Sequence, residues 1–216
     1  DAMAYMKKVF TTFRGWGVEL FKTDFMLWGL QDSSRVKRYV PGKTSVEYLR
    51  EFLQVIREAI GEESYWLGCI APYLPFVGYA DGMRIGGDVG SRWDGGFCPQ
   101  NMMRCLVGSN YMNHNYFQTD PDAVMLRDFQ IRLTERDIHS LALLAALSGG
   151  CIYTSDPLHR IAPDREKLFE FIQPDKRRKP TLPFLSEVRP EIVMVHKEEK
   201  KALVFVMNKA ETDFRA

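Results

Sequence analysis

The sequence predicts an α/β fold, a parallel sheet with crossover helices that is either doubly wound or closed into a barrel. Three observations predict it. Short apolar stretches alternate five times with helix-length amphipathic ones, and the connections between them are short. The polar residues that interrupt the apolar pattern fall at the C-terminal ends of those short stretches: Lys22 and Asp24, Cys69, Arg84 and Asp88, Asp120 and Asp122, and Asp156. Alternation of this kind builds βα units. In both kinds of parallel sheet, ligands are met at the carboxyl ends of the strands.

Taking the elements in order, apolar residues at Ala2, Met6, Val9, Phe10 and Phe13 mark a helical stripe that Gly15 and Gly17 stop. Residues 18–25 follow as a strand with Val18, Leu20, Lys22 and Asp24 on one face. A lysine and an aspartate on the inward face of an apolar strand are costly to bury unless they face a wet, functional space. The alternative is a strand that ends at Phe21 with both charges in a loop. Thr44 and Glu47 form a capping box that opens a helix over Ser45–Ile60, with a stripe at Val46, Leu49, Phe52, Leu53, Ile56 and Ile60 and Gly61 as its C-terminal cap. Residues 65–70 read as the next strand, ending at Cys69 before a loop that holds Pro72 and Pro75.

Residues 78–94 read GYADGMRIGGDVGSRWD. A strand over 83–89 puts Arg84, Gly86 and Asp88 on one face, so a cation and a carboxylate line one wall. The glycine between them lets something large and rigid lie flat against the backbone, which suits a sugar ring or a nucleotide. A surface ion pair beside a turn uses the same residues. The glycines do not fall at G-x-G-x-x-G spacing, so there is no dinucleotide fingerprint. A helix over 99–107 and a short strand over 116–119 then lead into Asp120-Pro121-Asp122. Thr134 caps a helix that runs to Leu147 and ends at Gly149-Gly150; a strand over 151–155 and a helix over 164–172 follow. Beyond Pro174 the texture changes. Residues 192–195 and 202–207, separated by the charged turn 197–201, read as an antiparallel hairpin.

With 216 residues, 45% hydrophobic and 26% charged, the chain has ordinary globular composition and enough length for one large domain, or one and a piece. Its formal charge is +1 and its one basic run, Lys176-Arg177-Arg178-Lys179, is short, so nucleic acid is not an expected partner. Nor is a membrane, since no apolar run approaches the ~20 residues of a span. Cysteines at 69, 98, 105 and 151 form no C-x-x-C pair, and histidines at 114, 139, 159 and 196 are scattered. Four free thiols, no structural metal and no cofactor are the expectation. Asp1 opens within what reads as a helix, and the chain is expected to be an internal piece of a longer protein.

Four stretches carry a resemblance: FKTDF at 21–25, GCIAPYLPFVGYADGMRIGGDVGSRW at 68–93, TDPDAVMLR at 119–127 and LSGGCIYTSDPL at 147–158. Together they resemble the melibiase-type α-galactosidases of glycoside hydrolase family 36, whose wider clan, family 27 included, shares the K-x-D and R-x-x-x-D elements. One such motif is weak; four in order are specific. The resemblance implies a retaining glycosidase on a (β/α)8 TIM barrel followed by an antiparallel all-β domain. Residues 1–187 would supply barrel strands four to eight, and residues 188–216 the first hairpin of the β domain.

By the same resemblance Asp24, the aspartate of K-x-D, is the nucleophile and Asp88, which closes R-x-x-x-D, is the general acid/base. Lys22 and Arg84 hold sugar hydroxyls, Cys69 stands where the clan reads the substituent at sugar C2, and Asp122 has a pocket-wall or supporting role. The implied substrate is an α-galactoside oligosaccharide or glycoconjugate. Transfer of galactose in the manner of raffinose synthase, removal of α-N-acetylgalactosamine (with which the small Ala71 after Cys69 is compatible without being diagnostic) and a non-catalytic carbohydrate-binding derivative are the alternatives. Five parallel strands without closure leave two edges. The piece alone is therefore expected not to be a competent enzyme, its edges being covered by the remaining barrel segments or by a second copy in a homo-oligomer.

Overall fold

The structure, a computed structural model, describes residues 2–32, 35–172, 180–184, 191–197 and 199–208. It divides into two compact units, Asp1–Arg84 and Ile85–Ala216.

In the first unit, helix α1 (Ala2–Gly15) leads to strand β1 (Leu20–Thr23) and a 3-10 helix over Met26–Leu30. Helix α2 (Ser45–Ile60), strand β2 (Tyr65–Gly68), the single turn α3 (Tyr73–Phe76) and strand β3 (Gly82–Arg84) follow. The three strands are parallel, with Leu20 aligned on Tyr65, Thr23 on Gly68, and Gly68 in turn on Met83. Parallel neighbours need a crossover, and α2 supplies it between β1 and β2. Its first turn is closed by the reciprocal Thr44–Glu47 box. Leu49, Leu53, Ile56 and Ile60 are buried along one side, each worth about 1.5–3 kcal/mol in apolar surface removed from water.

Arg57 is also buried, on the same helix, and its guanidinium donates to the Tyr79 and Ser64 carbonyls and to Asp81 Oδ2 at 2.8 Å. That pins the end of α2 to the approach of β3. Behind the sheet, the Trp66 indole N–H donates to Thr23 Oγ1 at 2.9 Å, which ties β1 to β2 through their side chains as well as their backbones.

The second unit holds helix α4 (Pro99–Ser109), strand β4 (Gln118–Asp120), helix α5 (Glu135–Ser148), helix α6 (Pro163–Phe171) and the antiparallel hairpin β5 (Glu191–Lys197) and β6 (Ala202–Asn208). Helix α5 begins on a Thr134–Asp137 capping box and ends on Gly149, whose φ of 67° is the left-handed C-cap that glycine adopts without strain. It is buried nearly all round, through Ile138, Leu141, Ala142 and the run from Leu144 to Ser148, which makes it the centre of this unit. The hairpin alternates buried Ile192, Met194, Phe205 and Met207 with exposed Val204 and Val206, and β6 lies against α5. Thr181 adds a bridge to Val195 through two backbone bonds of 2.8 and 2.9 Å.

The helices match the sequence expectation closely, and the strands are shorter than it. The strand expected over 18–25 is only Leu20–Thr23, and the one over 65–70 is Tyr65–Gly68. Phe25 (φ 56°) and Ile70 (φ 42°) turn left-handed and end them. The expected strand 83–89 stops at Arg84, so Arg84 and Asp88 do not share a strand face. Beyond Ile85 the backbone N–H groups bond to a side chain and to loop carbonyls instead of a neighbouring strand. The strand expected over 116–119 lies at Gln118–Asp120. Residues 151–155 form no strand, and Cys151 makes one backbone bond to Thr119 O (2.8 Å) before Tyr153 O accepts from Val124 N instead. The basic run 176–179 and the boundary at 187/188 lie outside the described residues.

Candidate active site

Four of the six sequence-predicted site residues lie in the first unit, at the carboxyl ends of its parallel strands. Lys22 is on β1, on the face that also exposes Leu20, while Phe21 points the other way and meets Phe10 with ring centroids 5.9 Å apart. The face that carries Lys22 is therefore open, which removes the cost of burying it. Asp24 is the first residue past the regular strand, and its Oδ1 accepts the N–H of Phe25 at 2.7 Å. Cys69, 3% exposed, follows β2 in the matching position, its N–H donating to Thr23 O at 2.8 Å. Arg84 is the last residue of β3 and is 5% exposed.

The Cys69 thiol joins these residues chemically. Burial, and next a hydrogen bond to the Asp24 carboxylate, push its pKa up to about 11, while the positive charges of Arg84 and Lys22 pull the other way. At neutral pH the group is a neutral thiol beside a carboxylate, so it serves as a donor and not as a nucleophile. Backbone strain accumulates at this rim. Phe25 and Ile70 are bulky residues held left-handed immediately after Asp24 and Cys69, a conformation that costs about 1–3 kcal/mol each. Leu27 N–H donating to Ile70 O at 2.6 Å ties the two strained turns together. Nothing in the local sequence announces either turn, since neither residue is glycine, asparagine or aspartate.

The other two predicted residues lie in the second unit. Asp88 is exposed on a loop that is pinned from both sides. Ile85 N–H donates to Asp120 O at 3.0 Å, Gly90 N–H to Phe97 O at 3.2 Å and Arg132 N–H to Ser91 O at 2.8 Å. A Cβ on Gly90 would stand 2.5 Å from that Phe97 oxygen, so glycine is required for the close approach. Asp122 reaches the same loop. Its Oδ2 accepts the N–H of Val89, the residue after Asp88, at 2.7 Å. Its own N–H donates to Oδ1 of the fully buried Asp120 at 2.8 Å. The partner of the Asp122 carboxylate is thus a backbone N–H of this loop, which was not legible in the sequence.

Asp156, another of the polar strand-end positions, has a different task. Its side chain is fully buried, paired with Arg127 Nη1 at 2.7 Å, and accepts from the N–H groups of Leu126 (2.6 Å) and Arg127 (3.1 Å). It is a structural clamp on the 124–127 segment. A cleft of about 850 Å³ in the first unit, lined by Met3, Tyr39, Tyr48 and Phe52 among others, holds none of the predicted residues. The four cysteines are free, Cys69, Cys98 and Cys151 being buried. Among the described residues no group of three His, Cys, Asp or Glu is placed to hold a metal ion, and no helix is long and apolar enough to cross a membrane.

No family model matches the chain. In structure it is similar to TtGalA, an α-galactosidase from Thermus thermophilus solved with p-nitrophenyl α-D-galactopyranoside, with a TM-score of 0.67 and 26% identity over 83% of this chain and 37% of that one. The same enzyme solved with stachyose gives a TM-score of 0.63 over 80% and 38% of the two chains. α-Galactosidase I from Mortierella vinacea gives 0.74 at 12% identity, over 95% of this chain and 56% of that one, a likeness of fold alone. In fold this chain is thus similar to the α-galactosidase class of TIM-barrel enzymes. Within that class its resemblance is to the melibiase type, and it spans a little over a third of the length of TtGalA.

Proposed function

We propose that the protein is a retaining glycoside hydrolase that removes terminal α-linked galactose, and that this chain contributes the part of its barrel from the fourth strand onward. The observation that carries this is the cluster at the ends of β1, β2 and β3, where a carboxylate that accepts from a backbone N–H and a buried thiol shares its surroundings with an arginine and a lysine. In the first step Asp24 attacks the anomeric carbon while Asp88, protonated, gives its proton to the departing glycosidic oxygen. In the second, Asp88 takes a proton from water as that water displaces Asp24 from the glycosyl-enzyme. Two carboxyl groups about 5–5.5 Å apart suit this double displacement.

Lys22 and Arg84 hold sugar hydroxyls, and Cys69 stands where the substituent at sugar C2 is read. The p-nitrophenyl α-galactoside and stachyose bound by TtGalA support an α-galactoside oligosaccharide as substrate. Further barrel segments complete the sugar pocket, because positioning by the whole barrel is part of the rate. The test is hydrolysis of p-nitrophenyl α-D-galactopyranoside by this chain and by a longer protein that contains it, with the product followed by NMR before mutarotation. Release of α-galactose by the longer protein alone is the expected result. First release of β-galactose, or no turnover by either, contradicts it. Asp24→Asn in the active protein should abolish turnover with the fold intact; near-wild-type activity would remove Asp24 as nucleophile.

A further inference from the structure

We propose that Asp122 is a positioning residue for Asp88, acting through the peptide bond that joins Asp88 to Val89. The inference rests on the assignment of Asp88 as general acid/base. Two hydrogen bonds and one peptide link make the chain of support. Asp120, with no solvent exposure, accepts from Asp122 N–H at 2.8 Å; Asp122 Oδ2 accepts from Val89 N–H at 2.7 Å; and Val89 N–H belongs to the peptide plane whose carbonyl is that of Asp88. Fixing that plane fixes ψ at Asp88, and with it the direction in which its side chain leaves the backbone. No strand ladder does this work, because β3 ends four residues earlier, at Arg84.

Asp122 also holds a left-handed backbone, φ 81°, that a non-glycine residue keeps only where its surroundings hold it there. Aspartate tolerates that conformation because its short polar side chain bonds locally, and the preceding Pro121 has its own φ locked by its ring. A carboxylate acceptor makes the bond to Val89 charge-assisted, roughly twice as strong as a neutral one. Strain and hydrogen bond therefore meet on one residue, and the loop that profits is the one that carries the acid.

The test uses the active full-length protein with two substrates and one activity-free readout. Asp122→Gly removes the acceptor without adding backbone strain at φ 81°. It should lower kcat/KM for stachyose by about 10- to 100-fold, the loss of one hydrogen bond to a charged group. The effect on p-nitrophenyl α-D-galactopyranoside should be much smaller, because nitrophenolate departs without protonation. Amide exchange at Val89 should speed up. Asp122→Asn, which keeps an acceptor oxygen, should restore both readouts. Equal loss on the two substrates, no loss on either, or unchanged exchange at Val89 overturns the proposal. Asp88→Ala separates the two levels of the argument. If it shows the stachyose-selective loss and Asp122→Gly does not, only the positioning role falls; if Asp88→Ala itself shows no selectivity, the acid assignment falls and this inference with it.

Discussion

Cys69 carries a signature that can be read in the pH dependence of stability. Its folded pKa, near 11, lies above the ordinary value of 9.0, chiefly from burial and then from the bond to Asp24. The folded state thus binds the thiol proton more tightly than the unfolded state does. The stabilisation is fully present below about pH 9 and is lost as pH rises through about 11. Thermal unfolding of wild type and Cys69→Ser across that window should show the wild type losing stability with rising pH and the variant losing less. Parallel curves would show that the thiol does not sit in that environment. Asp156 gives a second test. Asp156→Ala leaves Arg127 Nη1 and two backbone N–H groups without their acceptor, and breaking a buried pair of this kind costs about 3–5 kcal/mol, so the Tm should fall sharply. A near-wild-type Tm would contradict the clamp. The sequence shows Asp24, Asp122 and Asp156 alike, as acids after short apolar runs. It cannot separate them, because their distinguishing partners, Cys69, Val89 and Arg127, lie 29 to 45 residues away.

At the scale of elements, helices were legible and strand ends were not. The Thr44–Glu47 capping box and the Thr134 cap can be read from the sequence, and α2 and α5 begin where Thr44 and Thr134 place them. Thr44→Ala should cost about 1 kcal/mol, measurable as a small shift in the denaturation midpoint. Strands depend on non-local pairing, and theirs are cut short by left-handed turns at Phe25 and Ile70 that no spacing rule signals. The segment after α5 illustrates the limit. Its apolar run reads as a strand, yet Gly150 packs so closely on β4 that a Cβ there would run into the Thr119 backbone carbonyl. Gly150→Ala should therefore destabilise the second unit far more than the helix or loop preference of alanine would suggest. Hydrogen exchange should report this first in β4 and at Cys151, whose N–H donates to Thr119 O. An unchanged exchange pattern would show that the close approach is not required.

For the whole molecule, the order of motifs was more informative than any one of them. K-x-D, the cysteine after the next strand, R-x-x-x-D and D-P-D follow one another in the order that the resemblance to α-galactosidases implies, and the chain is separately similar in fold to TtGalA. The supporting layer was not legible. Trp66 on Thr23, Arg57 on Tyr79 and Asp81, and Asp120 on Asp122 are all contacts that only the folded chain creates. The central claim is that Asp24 forms a glycosyl ester during turnover. The most direct measurement is to react the active full-length protein with a slow fluorinated α-galactosyl substrate, digest it, and locate the hexosyl adduct by mass spectrometry. Double displacement predicts the label on Asp24, and its absence from Asp24→Asn. A label on Asp88, or steady turnover with α-galactose released and no adduct on either aspartate, would contradict it.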